Sequence, residues 1–194
     1  MGRNHPTRSA ESTDDHPHQS DSLFDRREFM KKAAGAGIVS FAGIATVTGE
    51  ARAYTWPTYS QGAEGPDVLT IQGLLAEFHH HLEYYDGIYG PATEGAVTDF
   101  QREQNLTVDG IVGPYTWEAL ATIVLSRGDG MNTSRTGVSV AQHQLNAVFG
   151  YDIAVDGRFG PGTEAAVRSF QDSRRLPIDG VVGPNTWRAL VSTG

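Results

Sequence analysis

The residues with the most chemical potential in this chain sit in a phrase written four times. Asp86-Gly87, Asp109-Gly110, Asp156-Gly157 and Asp179-Gly180 each open the pattern Asp-Gly-x-x-Gly-Pro-x-Thr, which closes on Thr93, Thr116, Thr163 and Thr186. Each threonine is expected to cap a helix. The first N–H groups of a helix lack internal partners and carry partial positive charge, which suits carboxylate groups. The first phrase of each pair adds an aromatic ring, Tyr89 or Phe159. Backbone donors, carboxylates, hydroxyls and rings could together hold a polar ligand. The same residues also have a structural reading: Asp-Gly is a turn dipeptide, because glycine accepts positive φ and aspartate bonds the local backbone.

Other chemistry finds little support. The chain has no cysteine, which excludes disulfides, thiolate metal sites and cysteine nucleophiles. His79, His80 and His81 form the one conspicuous cluster, but consecutive positions on a helix point about 100° apart, whereas paired ligands want i, i+4 spacing. Solvated histidines and no metal site are expected. No Gly-x-Ser-x-Gly elbow, P-loop or dinucleotide fingerprint is present. No carboxylate pair is marked out for glycoside cleavage. No catalytic residue and no cofactor are expected.

The elements that must position the loops come from a duplication. Val68–Leu120 aligns with Val138–Leu190 without a gap, and 23 of 53 positions are identical. In the first copy Val68, Ile71, Leu74, Leu75, Phe78 and Leu82 fall at helical spacing, with Asp67 placed to cap the start. The second copy keeps a stripe at Val138, Ala141, Leu145, Val148 and Phe149. A middle helix buries Ala96, Val97 and Phe100, and a last one turns Trp117, Leu120, Ala121 and Val124 inward. Ile111-Val112 could form an extended bridge between the loops. Each copy therefore reads as helix, loop, helix, loop, helix, and the fold class is all-α with two tandem three-helix modules. Trp117, Trp187, Phe100 and Phe170 read as core. Gln72, Gln101, Gln142 and Gln171 read as satisfying loop backbone. Ser126–Gly137, rich in Gly, Ser and Thr, reads as a linker.

The run Gly-x-Tyr/Phe-Gly-Pro-x-Thr-Glu-x-Ala-Val-x-x-Phe-Gln, followed by Leu-x-Val/Ile-Asp-Gly-x-Val-Gly-Pro-x-Thr-Trp-x-Ala-Leu, resembles the peptidoglycan-binding domain 1 family, here in tandem over residues 66–125 and 136–192 with 126–135 between them. The resemblance implies a compact three-helix module that fastens secreted proteins, often wall hydrolases, to the bacterial cell wall. The helix N-termini at the two loops lead us to expect a shallow ligand groove in each unit, a region the resemblance supports: Asp86, Gly87, Tyr89, Thr93, Asp109, Gly110 and Thr116 in the first, Asp156, Gly157, Phe159, Thr163, Asp179, Gly180 and Thr186 in the second. The expected function is non-catalytic binding of a polymeric envelope ligand by a monomer, beside a separate wall hydrolase where one exists. The alternatives are an envelope protein that binds a non-murein glycan or a protein partner, and an accessory subunit of, or minimal, wall hydrolase.

Charge and the N-terminal segment bear on where this happens. From Tyr54 onward there are sixteen Asp plus Glu, eight Arg and no Lys, which disfavours nucleic acid and suits a protein kept hydrated in concentrated salt. Met1 to Ser22 has little to bury and is expected to be disordered. Arg26-Arg27-x-Phe29-Met30-Lys31, followed by a weakly apolar stretch and Ala51-x-Ala53, resembles a twin-arginine export signal. Residues 1–53 are thus expected to be an address cleaved after Ala53, with an uncleaved membrane anchor as the alternative. An exported or envelope-associated protein is expected.

Overall fold

The computed structural model describes residues 54–131 and 135–192, and the export-signal reading, with Arg26, Arg27 and Ala53, lies outside the described residues. Six helices run in chain order: α1 (Pro66–Glu77), α2 (Pro91–Glu103) and α3 (Pro114–Leu120) in module 1, then α4 (Thr136–Phe149), α5 (Pro161–Ser173) and α6 (Pro184–Val191) in module 2. The two three-helix modules of the sequence reading are present.

The helix starts differ from expectation. α2, α3, α5 and α6 have glycine at the N-cap (Gly90, Gly113, Gly160 and Gly183) and proline at the first helical position. Proline suits that place because its missing N–H would have had no partner there. The threonines fall two residues further in, so they are not caps. Asp67 is also inside α1 rather than at its cap, which is Gly65. α1 ends at Glu77, and His79 takes a left-handed φ of 68°, so the histidine triplet and Leu82 lie beyond the helix.

This end of α1 shifts the copies by one residue. Phe78 packs edge-on to Phe100 at 4.9 Å, and the matching contact in module 2 is Phe149 with Phe170 at 4.8 Å. The ungapped alignment pairs Phe78 with Val148, which is 37 % exposed. Val124, expected inward, is also exposed. Trp117 and Trp187 have no exposed surface, and with Phe100, Phe170, Leu120 and Leu190 they form the core. Burial of each tryptophan is worth about 3–5 kcal/mol against alanine.

Each module is closed by an irregular strap that precedes its first helix. In module 1, Trp117 Nε1 donates to Pro57 O at 2.9 Å, Tyr59 pairs antiparallel with Val112, and Tyr89 N–H donates to Ala63 O. In module 2, Trp187 Nε1 donates to Ile123 O at 2.8 Å, Leu125 pairs with Val182, and Phe159 N–H donates to Asp129 O. Val112 therefore bridges to a strap and not to the neighbouring loop. The stretch read as a linker is in large part the strap of module 2. Gly128 and Gly130 take positive φ there, and a Cβ on Gly130 would sit 1.9 Å from Gly157 O. Tight turns and loose linkers draw on the same small residues, which is why composition misled.

The modules also pack directly on one another through α1 and α4. A Cβ at Gly73 would lie 2.4 Å from Val140 Cγ1, so glycine permits the close approach. Gln144 of α4 donates to buried Asp67 and to Leu190 O at 2.9 Å, and Tyr59 donates to the other oxygen of Asp67. Glu77 at the end of α1 accepts from Arg135 at 2.6 Å and from Gly137 N–H at 2.8 Å. The strap of module 1 reaches module 2 as well: Tyr54 donates to Arg174 O, and Trp56 lies between Trp117 (5.5 Å, stacked) and the Arg188 guanidinium (4.9 Å).

Candidate functional site

Each Asp-Gly loop is tied to the preceding helix by one buried glutamine. Gln72 on α1 donates to Asp86 Oδ1 (2.9 Å), Ile88 O (3.1 Å) and Thr93 Oγ1 (3.1 Å), while its oxygen accepts Gly87 N–H at 2.9 Å. Gln101 on α2 makes the same bonds to Asp109, Ile111 O, Thr116 and Gly110 N–H. Gln142 on α4 repeats them with Asp156, Arg158 O, Thr163 and Gly157 N–H, and Gln171 on α5 with Asp179, Val181 O, Thr186 and Gly180 N–H. In every knot the aspartate also accepts the N–H two residues on, at 2.8–2.9 Å. Glycine follows it with φ between 68° and 75°, a conformation open to few other residues.

The electrostatics follow from these bonds. Asp86 and Asp156 titrate below the ordinary carboxylate range, first because a glutamine donates to the charged form and then because a backbone N–H does. For Asp179 the Val181 N–H is the leading cause. Asp67 is shifted the other way by burial, against the bonds from Tyr59 and Gln144.

The structure brings the fourteen proposed groove residues together as four knots, and it divides them by exposure. The aspartates are exposed at the surface, while Gly87, Gly110, Gly157 and Gly180 and the four threonines are buried. Tyr89 and Phe159 are 1 % and 0 % exposed, which corrects the expectation that their rings face a ligand. Tyr89 fills the core and donates its hydroxyl to Gly110 O at 2.8 Å, joining the two loops of module 1. A small module needs large buried side chains, and an aromatic between two glycine turns supplies one. The rings that do reach solvent are others: Tyr84 and Tyr115 are 68 % and 64 % exposed, and Tyr85 is 38 %; of these, the sequence marks only Tyr115, as a difference between the copies beside the loops. Their signal was available as unmatched residues, since module 2 has Ala154, Val155 and Asn185 at the aligned positions. Among the described residues, no group of three or more His, Asp or Glu is placed to hold a metal ion.

Comparison with known proteins places the repeat. N-acetylmuramoyl-L-alanine amidase CwlL of Bacillus licheniformis is 31% identical over 167 residues, covering 72% of this chain and 46% of the amidase. The zinc D-Ala-D-Ala carboxypeptidase of Streptomyces albus G is 33% identical over 107 residues, covering 53% of this chain and 38% of the enzyme. The chain thus spans less than half the length of both relatives. A crystal structure of a peptidoglycan-binding protein from Clostridioides difficile, in complex with glutamine hydroxamate, is 38% identical, covers 36% of this chain and 41% of its own, and has a TM-score of 0.33. The family described as "Putative peptidoglycan binding domain" matches residues 64–120 and 134–190, which are the two modules with their four glutamine knots. On that match, which takes in more than half of its length, the chain belongs to the peptidoglycan-binding domain family in two tandem copies.

Proposed function

We propose that the protein is an exported, non-catalytic binder of a polymeric envelope ligand, peptidoglycan first among the candidates. Family membership over both copies is the observation that carries this reading. The ligand meets the exposed side of the loops, where the aspartates stand, and in module 1 it meets the faces of Tyr84, Tyr85 and Tyr115. Tyrosine offers a flat apolar face and a polar tip, which suits a sugar ring in water. Two sites on one body favour a repeating ligand, because the second contact forms at high effective concentration. The direct packing of α1 on α4 holds the two sites at a fixed separation.

The test is co-sedimentation with purified murein sacculi beside other envelope polymers, at low and at near-molar salt. Retention on sacculi at both salts, without release of soluble fragments, is expected. Screening at near-molar salt acts over about 3 Å, so retention there reports direct contacts. Release of fragments would revive a hydrolase, and retention on none of the polymers would point to a protein partner. Replacing Tyr84, Tyr85 and Tyr115 with alanine should weaken retention while helical content stays unchanged.

A further inference from the structure

The run Asn105-Leu106-Thr107 is explained neither by the helices nor by the glutamine knots. Asn-x-Thr or Asn-x-Ser, with any residue but proline in the middle, is the pattern at which a glycan is joined to asparagine on the surface of exported proteins. Three letters arise easily by chance, so the surroundings decide what the run is for.

The run follows α2, and its backbone is fixed. Gln104, Asn105 and Leu106 donate their N–H groups to Phe100 O, Arg102 O and Gln101 O at 2.8–3.2 Å. Asn105 takes a left-handed φ of 56°, which asparagine tolerates better than most residues. Conformation does not demand it, since module 2 has Arg175 at the aligned position with the same φ. Nor does the fold use Thr107, where module 2 has Pro177. Asn105 and Thr107 are both exposed, and neither the carboxamide nor the hydroxyl bonds to any described residue. Arg102, Glu103 and Val108 around them are exposed as well. A fixed turn thus holds out an unengaged amide and, two residues on, an unengaged hydroxyl. An acceptor on a folded chain needs both. A second run of the pattern, Asn132-Thr133-Ser134, lies outside the described residues.

We propose that Asn105 is the acceptor of an N-linked glycan, supplied by an oligosaccharide carried on a polyprenyl phosphate or diphosphate. The Asn105 amide nitrogen attacks the anomeric carbon of the donor, and a nitrogen–carbon bond forms. The bond from that carbon to the phosphate oxygen breaks, and the lipid phosphate leaves with the electron pair. A base of the transferring enzyme takes the amide proton. The proposal rests on the export reading, because the pattern is a mark of exported chains. It is independent of which polymer the modules bind.

The full chain, produced in the cells that make it and recovered from their envelope or medium, is digested with trypsin for mass spectrometry. Cleavage after arginine puts Asn105 in Glu103–Arg127 and Asn132 in Gly128–Arg135, so the two runs are read separately. Sugar mass on Glu103–Arg127 is expected in the parent and in Thr107→Ser, and its loss in Asn105→Gln and Thr107→Val. The variants should fold, because Arg175 shows that the turn accepts a long side chain and Thr107 is exposed. A bare Glu103–Arg127 peptide in exported protein, sugar on Gly128–Arg135 alone, or sugar on Glu103–Arg127 that survives Asn105→Gln would overturn the proposal. A chain found only inside the cell would remove the export reading instead. The folded full chain is then incubated with membranes of the same cells and their lipid-linked oligosaccharide. Transfer to Asn105 keeps the acceptor site without export, and no transfer removes the site as well.

Discussion

Module 1 and module 2 share the Gln, Asp, Gly and Thr of their glutamine knots and differ at many positions around them. Gln72 and Gln142 each close the same ring of Asp, Gly and Thr, with bond lengths that agree to about a tenth of an ångström. Around the knots the modules part: Gly65 against Arg135 before the first helix, Gly73 against His143 on the first helix, and Tyr84, Tyr85 and Tyr115 against Ala154, Val155 and Asn185 on the surface. The repeated knot residues hold the unit together, while Gly73 and His143 lie on the first helices where the modules pack, and Tyr84, Tyr85 and Tyr115 are exposed on module 1 alone. The duplicated phrase that first attracts attention is therefore chiefly scaffold, and recognition is to be sought in its unmatched neighbours.

The most severe way to break the comparison is to remove the tryptophans. Trp117→Ala and Trp187→Ala should each cost about 3–5 kcal/mol in urea melts followed by circular dichroism. Trp117→Ala should cost the more, because Trp56 stacks on Trp117 and loses that partner as well. Each variant should still unfold in a single transition, since the modules share the α1–α4 contact and the first strap. Two separated transitions would show that the modules are independent, and the fixed spacing of their sites would fall with that result.

Next in size come the knots. Gln101→Leu removes the acceptor of the buried Gly110 N–H and a donor to Asp109 and Thr116, and Gln171→Leu does the same to Gly180, Asp179 and Thr186. A buried polar group left without a partner costs about 1–3 kcal/mol. Equal losses in the two variants are expected, with faster amide exchange confined to the affected loop. Unequal losses would mean that identical knots are not energetically equivalent.

How much of this was legible in the chain depends on whether a feature is local. The helices, the tryptophan cores and the role of the four glutamines follow from spacing within one copy. The straps do not, because Pro57 and Ile123 accept through backbone carbonyls from tryptophans 60 and 64 residues later, and any residue can supply a carbonyl. The Gly73–Val140 contact is equally silent, since glycine in a helix reads as a weakness until the neighbouring helix is in view. Tyr89 and Phe159 were misplaced because an aromatic beside Asp-Gly looks like a loop residue, whereas the sharp turn at Gly87 directs Tyr89 into the core.

Gly73 sharpens the comparison at a smaller cost. Gly73→Leu drives a side chain into Val140 and should destabilise by about 1–3 kcal/mol through overpacking, with shifted NMR signals on both α1 and α4. His143→Leu, at the aligned position, should cost less, because His143 is only partly buried and already has room for a ring. If the two substitutions cost the same, the interface is not organised around the glycine.

The smallest expected effect is a response to acid. Asp86, Asp156 and Asp179 titrate below their unfolded value, which lies near about 3.9. A depressed folded pKa contributes stability that is complete above the unfolded value and is lost as pH falls through the folded one. These groups therefore begin to destabilise the fold only below about pH 4. Asp67 works the other way: burial raises its pKa, so its contribution is present in acid and is lost as pH rises through the folded value. Three exposed carboxylates against one buried one should give a modest net loss in acid. An Asp86→Asn, Asp156→Asn, Asp179→Asn variant keeps an acceptor for each turn N–H and removes the charge. Its stability should be lower than that of the parent at neutral pH and should fall less steeply below pH 4, as measured by urea midpoints across pH. A parent and variant with parallel profiles would show that the knots hold by geometry alone, in both modules alike.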